Sequence, residues 1–286
     1  MFISPLRHRT VFSRLAALVC SVAILTVAQP AAYAENAADT LETGFHQMYS
    51  LDFPAAHKTF DDWQQRYPDD PLGPASSAAA YLFSELDRLR VLELELFTEN
   101  KKIDSKKSRP DSRVKAAFES EVAKAERIAM KELQRSPKDV NCLFARVVAT
   151  GLKGDYLALI EKKNSDALKY LKTSRSLAEE LIAIDPTYYD AYLAIGIESY
   201  LLGIRSAPMR WFLRMSGAKA NKEDGIAKLQ ITASKGRYLG PFARVLLAIA
   251  ALRDHDKTKA EELLTGLAEE FPQNHLYRQE LARLRS

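Results

Sequence analysis

From Gly44 onward, apolar residues return every three or four positions, the spacing that gathers side chains on one face of a helix. Leu177, Leu181 and Ile184 show it, as do Ala243, Leu246, Leu247 and Ala250, and again Leu263, Leu264 and Leu267. Alternation of period two with β-branched residues is nearly absent after Asn36, so strands are not expected. Each amphipathic stretch runs into a proline: Tyr67-Pro68, Ser136-Pro137, Asp185-Pro186 and Phe271-Pro272. Proline disfavours the α conformation in the residue before it, so these pairs predict helix ends, and the short polar runs that follow lead into the next helix. The pattern predicts an all-α chain.

The helices also repeat. Ala56, Phe60, Trp63 and Pro68 are spaced by 4, 3 and 5, and Ala260, Leu264, Leu267 and Pro272 are spaced identically. The first three residues of each set share a helix face, where a small residue admits a neighbouring helix, and the proline then turns the chain. Gly44 precedes Ala56 by twelve positions. Tyr192, Ile195, Gly196 and Gly203 follow Pro186, Gly154-Asp155-Tyr156 follows Pro137, and Ala78 and Tyr81 follow Pro68.

This set of residues resembles the tetratricopeptide repeat (TPR), a helix–turn–helix unit of about 34 residues. In that family Gly44 and Gly196 stand at small first-helix positions, and Gly154 and Gly203 at turns within a pair. The resemblance implies a TPR-like solenoid of about five helix pairs, closed by a capping helix near Asn274–Arg285 that carries Arg278, Arg283 and Arg285. The signature prolines stand 69, 49 and 86 residues apart, so the middle units must be lengthened by extra turns or loops. Pro54 sits where a helix begins, and there its missing N–H costs little. A weaker resemblance, to TPR proteins of the mitochondrial inclusion-clearance family, is confined to Trp211–Gly217, Glu223–Leu229 and Lys235–Tyr238, and no role follows from it.

The start of the chain has a different character. Arg7, Arg9 and Arg14 precede an apolar run from Leu15 to Ala28, then Gln29-Pro30 and the small-x-small triplet Ala32-Tyr33-Ala34. This is the pattern of a secretory signal peptide over 1–34, cleaved after Ala34. As a helix the 14-residue run reaches only ~21 Å against a ~30 Å hydrocarbon core. The mature protein is therefore expected in a periplasm or outside the cell, as one domain over 35–286. Cys20, preceded by Val19 and followed by more apolar sequence, does not fit a lipidation site and would leave with the leader. Cys142 then remains alone, without a disulfide partner, in an apolar helical run where a small core residue is expected.

Composition narrows the function further. The 286 residues carry 41 Lys and Arg against 37 Asp and Glu, and removal of three leader arginines lowers the formal charge from +4 to +1. Nothing in that balance points to nucleic acid, which calls for a strongly basic face. His46 and His57 fall on the two helices of the first pair and could face each other, but no carboxylate is placed to complete a metal site with them. Acidic pairs such as Glu179-Glu180 and Glu261-Glu262 point about 100° apart on a helix and do not converge as acid and base. Serine elbows, phosphate loops and dinucleotide fingerprints are missing. No catalytic residue, cofactor or metal is assigned, and an enzyme is not expected.

Two insertions interrupt the repeats. The stretch 98–113 is rich in Lys and Arg and reads as a solvated loop. The stretch 205–224 sets Met209, Trp211, Phe212, Leu213 and Met215 among Arg205, Arg210 and Arg214. It either completes the solenoid core or contacts a partner or a lipid surface, since these residue types are enriched at binding hot spots. The TPR resemblance implies a scaffold holding a protein or peptide partner on its concave face, with Tyr81, Tyr192 and Tyr200 as aromatic contacts and Tyr188 and Tyr189 nearby. The alternative is a hydrophobic-ligand or peripheral membrane protein that uses the apolar stretch 209–215.

Overall fold

Short polar side chains start most of the helices in the computed structural model, which describes residues 41–92, 109–203 and 221–286 within one compact unit, Thr40–Ser286. Asp52, Asp111, Asp139, Asn221, Asp256 and Asn274 each accept a hydrogen bond from a backbone N–H of the following turn. Such caps satisfy donors that have no partner inside the helix. The helices are α1 (41–49), α2 (Phe53–Arg66), α3 (Leu72–Arg88), α4 (Ser112–Leu133), α5 (Val140–Asp155) and α6 (Asn164–Ile184). They continue as α7 (Tyr192–Gly203), α8 (Lys222–Lys235), α9 (Gly240–Arg253), α10 (Lys257–Glu270) and α11 (His275–Arg285). No strand occurs among the described residues.

The helices pack as consecutive antiparallel pairs, α1/α2 through α9/α10, and α11 closes the series. The four prolines each lie just beyond a helix end, as the pattern predicts, and Pro54 falls in the first turn of α2. The repeated positions are where the pairs touch. Ala56, Phe60, Trp63, Ala260, Leu264 and Leu267 are all buried. A Cβ on Gly44 would stand 2.3 Å from a ring carbon of Phe60, so the α1/α2 crossing depends on a hydrogen at that position. Gly196 and Gly225 play the same part at the α7/α8 crossing, where a Cβ on Gly225 would lie 2.5 Å from the Tyr200 backbone nitrogen. Gly44→Ala is expected to lower unfolding stability by about 1–3 kcal/mol through overpacking. An unchanged urea midpoint would mean that Phe60 swings aside at no cost.

One local expectation needs correction. Gly154-Asp155-Tyr156 is not the turn of its pair. Helix α5 runs through Gly154 to Asp155 and continues as a π-helical turn, Tyr156–Ile160, and the chain reverses only around Lys162, whose φ is 60°. Gly154 is buried against α6, where a Cβ would meet the Ala167 carbonyl oxygen at an ordinary contact distance of 3.4 Å. The leader read over 1–34, the basic stretch 98–108 and the apolar residues Met209, Trp211, Phe212, Leu213 and Met215 lie outside the described residues.

Helix α1 is tied to the far end of the chain. The Tyr49 hydroxyl donates to the Tyr238 carbonyl at 3.1 Å, and Asn274 Nδ2 donates to the Tyr49 carbonyl at 2.8 Å. Phe45 packs on Tyr238, and His46 and Tyr49 pack on Phe271. The first helices of the pairs thus face one another around an interior.

Candidate functional site: an apolar chamber inside the helix pairs

Helix α5 supplies the longest wall of this interior. Val147, Gly151 and Asp155 stand four apart on one face, with Val148 and Leu152 beside them. Ser174 on α6 packs over Gly151 and donates its hydroxyl to the Val147 carbonyl at 2.8 Å, so it is already satisfied. Phe45, Met48 and Tyr49 of α1, Ala79 and Phe83 of α3, Leu193, Ala194 and Ile197 of α7, and Phe242 of α9 complete the wall. The chamber leaves about 60 Å³ for the centres of water-sized groups.

A second cavity of about 50 Å³ adjoins it and shares Met48, Tyr49, Phe83 and Phe242. Phe83 meets Tyr49 edge-on at 6.1 Å and Phe242 edge-on at 5.4 Å, so three rings form the partition. Beyond it Leu51, Leu92, Val245 and Leu276 line the second space, together with Tyr277 and Glu280. Leu92 and Leu276 also border a polar recess with Asp87, Arg90, His275 and Gln279. The three spaces adjoin in series, from apolar interior to polar margin.

Two carboxyl groups stand on the chamber wall, and their surroundings differ. Asp190 is buried and accepts from three successive backbone N–H groups, those of Arg237 (2.8 Å), Tyr238 (3.0 Å) and Leu239 (2.7 Å). Burial raises its pKa and these donors draw it partly back. Its work is to hold the turn between α8 and α9, and Gly236 lies so close that a Cβ there would stand 2.9 Å from Asp190 Oδ1. Asp155 has no such support. Among the described residues its carboxyl accepts no hydrogen bond and meets no cation. Its side chain is half-buried and lines the chamber. Burial alone pushes its pKa up to about 7.

The residues expected at a binding face lie elsewhere. Tyr81 packs at a tilt on His57, ring centres 4.1 Å apart, between α2 and α3. Tyr192 donates its hydroxyl to the Pro186 carbonyl and lies under the Lys228 ammonium. Tyr200 is buried with a hydroxyl that has no hydrogen-bond partner among the described residues, and it faces the end of α9 near Arg253 and Asp254. Tyr188 packs on Phe144, and Tyr189 offers its carbonyl to Thr232. None of the five lines the chamber. The aromatic lining comes from Phe45, Tyr49, Phe83 and Phe242 instead, because the inward helix faces are set by packing against α1 and α9. His46 and His57 do not face each other, since His46 rests on Phe271 and His57 on Tyr81.

Cys142 is a buried core residue on the first turn of α5. Burial, with the Asp139 carboxylate beside it, pushes its thiol up to about 12. Thiolate is the reactive form, so labelling by a disulfide reagent at pH 8 is expected to proceed only as fast as the protein unfolds. Rapid stoichiometric labelling of the native protein would contradict this placement.

A scan against protein-family models finds no matching family, and a search of curated proteins finds no matching relative.

Proposed function

We propose that this protein binds a slender apolar ligand, a chain of a few methylene groups, in its interior chamber. The observation that carries this reading is the pair of adjoining apolar cavities behind a three-ring partition. A void lined by Leu, Ile, Val and Phe forfeits the dispersion contacts that a filled core makes. A ligand restores them and gains about 0.8 kcal/mol for each methylene withdrawn from water. The space is narrow: an engineered cavity that takes benzene measures about 150 Å³, against about 60 Å³ here. An occupant of more than a few carbons must therefore reach past the ring partition into the adjoining space of about 50 Å³, which a linear chain can do and a rigid ring cannot, and a peptide does not fit inside.

In the same reading the helix pairs are of tetratricopeptide type, and the protein acts after export through the leader over 1–34. The scaffold reading, with a protein or peptide partner on the concave face, rests on the repeat resemblance and on Tyr81, Tyr192 and Tyr200. Support for the ligand reading comes from the chamber. 1-Hexanol is the direct probe. It should raise the thermal midpoint in a saturable way, as ligand binding to the folded state requires. Ala194→Phe, which places a ring in the chamber, should weaken that binding at least about tenfold while the variant keeps a cooperative transition. A midpoint unmoved by 1-hexanol in the wild type would end the proposal.

A further inference from the structure

Asp155 is not accounted for by the fold. Among the described residues it caps no helix, joins no ion pair and receives no hydrogen bond, although Asp190 on the same wall has three. A carboxylate held in apolar surroundings without a partner is costly, and proteins seldom keep one without use. The groups facing it from the packed elements sharpen the point. Helix α1 offers Tyr49, whose hydroxyl is committed to Tyr238, and the turn before α7 offers Asp190, already saturated. Helices α3, α6, α7 and α9 present Ala79, Phe83, Leu171, Ser174, Leu193, Ala194, Ile197 and Phe242, none of them charged. No Lys, Arg or His lines the chamber among the described residues. In the second cavity Glu280 is paired with Arg283. Among the described residues, no side chain supplies a positive charge to Asp155.

Resting on the ligand-chamber reading, we propose that Asp155 makes the chamber selective for apolar amines, seating a protonated amino group against its carboxylate with the alkyl chain in the apolar space. An ammonium brings three donors and a full charge to an acceptor-only group, and hydrogen bonds of this kind are about twice as strong as neutral ones. An alcohol brings one donor and no charge. A fatty acid brings a second negative charge to a wall without a cation, which low dielectric penalises. The chamber therefore ranks ligands by head group as amine, then alcohol, then carboxylate. Below about pH 7 the empty site holds a proton on Asp155, and ammonium binding releases it to solvent, with nothing else exchanged. Affinity for the amine consequently rises with pH until the carboxyl is ionised, whereas affinity for the alcohol does not.

Calorimetric titration of the whole protein with n-hexylamine, 1-hexanol and hexanoate tests this at pH 5.5 and pH 8. In the wild type, hexylamine should bind at least about tenfold more tightly than 1-hexanol at pH 8, with a smaller preference and measurable proton release at pH 5.5. Asp155→Asn keeps the shape of the side chain and should abolish the preference of hexylamine over 1-hexanol. Equal binding of hexylamine and 1-hexanol by the wild type would overturn the role of Asp155 and leave the chamber reading standing. A preference for hexylamine that survives Asp155→Asn would assign the amine to another acid and overturn it equally. Failure of all three probes would show that the chamber reading itself is wrong.

Discussion

In the ligand-free protein, wild type is expected to lose stability against urea relative to Asp155→Asn as pH rises from about 4 to about 7. An unfolded aspartate ionises near pH 3.9, whereas burial holds Asp155 at about 7 in the folded protein. Between those values the native state binds more protons than the unfolded state, so stability decreases with pH and levels off above the folded pKa. A difference of roughly three pKa units corresponds to about 4 kcal/mol. Wild type and variant should therefore unfold alike at pH 4, where both side chains are neutral, and diverge by up to about 4 kcal/mol in favour of the variant at pH 8. Parallel stability profiles would mean that Asp155 is solvated in the native state. Such a result would remove the reason to look for a cationic ligand.

The second large effect is expected at the α6/α7 contact. Arg175 and Glu198 are both buried, and Arg175 Nη1 reaches Glu198 Oε2 at 2.5 Å and Ser199 Oγ at 2.7 Å. Arg175 Nε also meets Glu179 at 3.1 Å. Glu198→Ala strands a guanidinium away from water and should cost about 3–5 kcal/mol. The double variant Arg175→Met, Glu198→Leu removes both charges at similar volume and should recover most of that loss, because a buried ion pair roughly balances its own desolvation. Helix α7 carries Leu193, Ala194 and Ile197 of the chamber wall, so Glu198→Ala should also weaken 1-hexanol binding. A cost below about 1 kcal/mol would place water at the pair.

Particular residues show how far the chain is readable. The prolines at 68, 137, 186 and 272 mark helix ends because the restriction they impose is local. Gly44, Ala56 and Phe60 mark a helix crossing because their spacing encodes a shared face, and the buried contact between Gly44 and Phe60 follows from it. Asp155 shows where that reading stops. Beside Gly154 it has the look of a turn residue, and only the continuation of α5 into a π-helical turn carries it inside. A signal was present: Val147, Gly151 and Asp155 stand four apart, so a lone acid shares a face with apolar neighbours. Tyr81 and Tyr192 show local contacts that spacing does not announce: Tyr81 packs on His57, and the Tyr192 hydroxyl donates to the Pro186 carbonyl.

The sequence by itself determined the all-α class, the helix ends, the pairing and the closing helix, because each depends on residues within one or two helices of each other. The tertiary structure decided the interior. Tyr49 joins Tyr238 across 189 positions and Asn274 across 225, and only when α1 meets α9–α11 do the first-helix faces enclose a space. Side chains that look alike in the chain then part ways. Asp190 meets three backbone donors brought up by the α8–α9 turn, while Asp155 meets none. Spacing along a chain records which residues share a face. What that face confronts is set by contacts too distant in sequence for any periodicity to register.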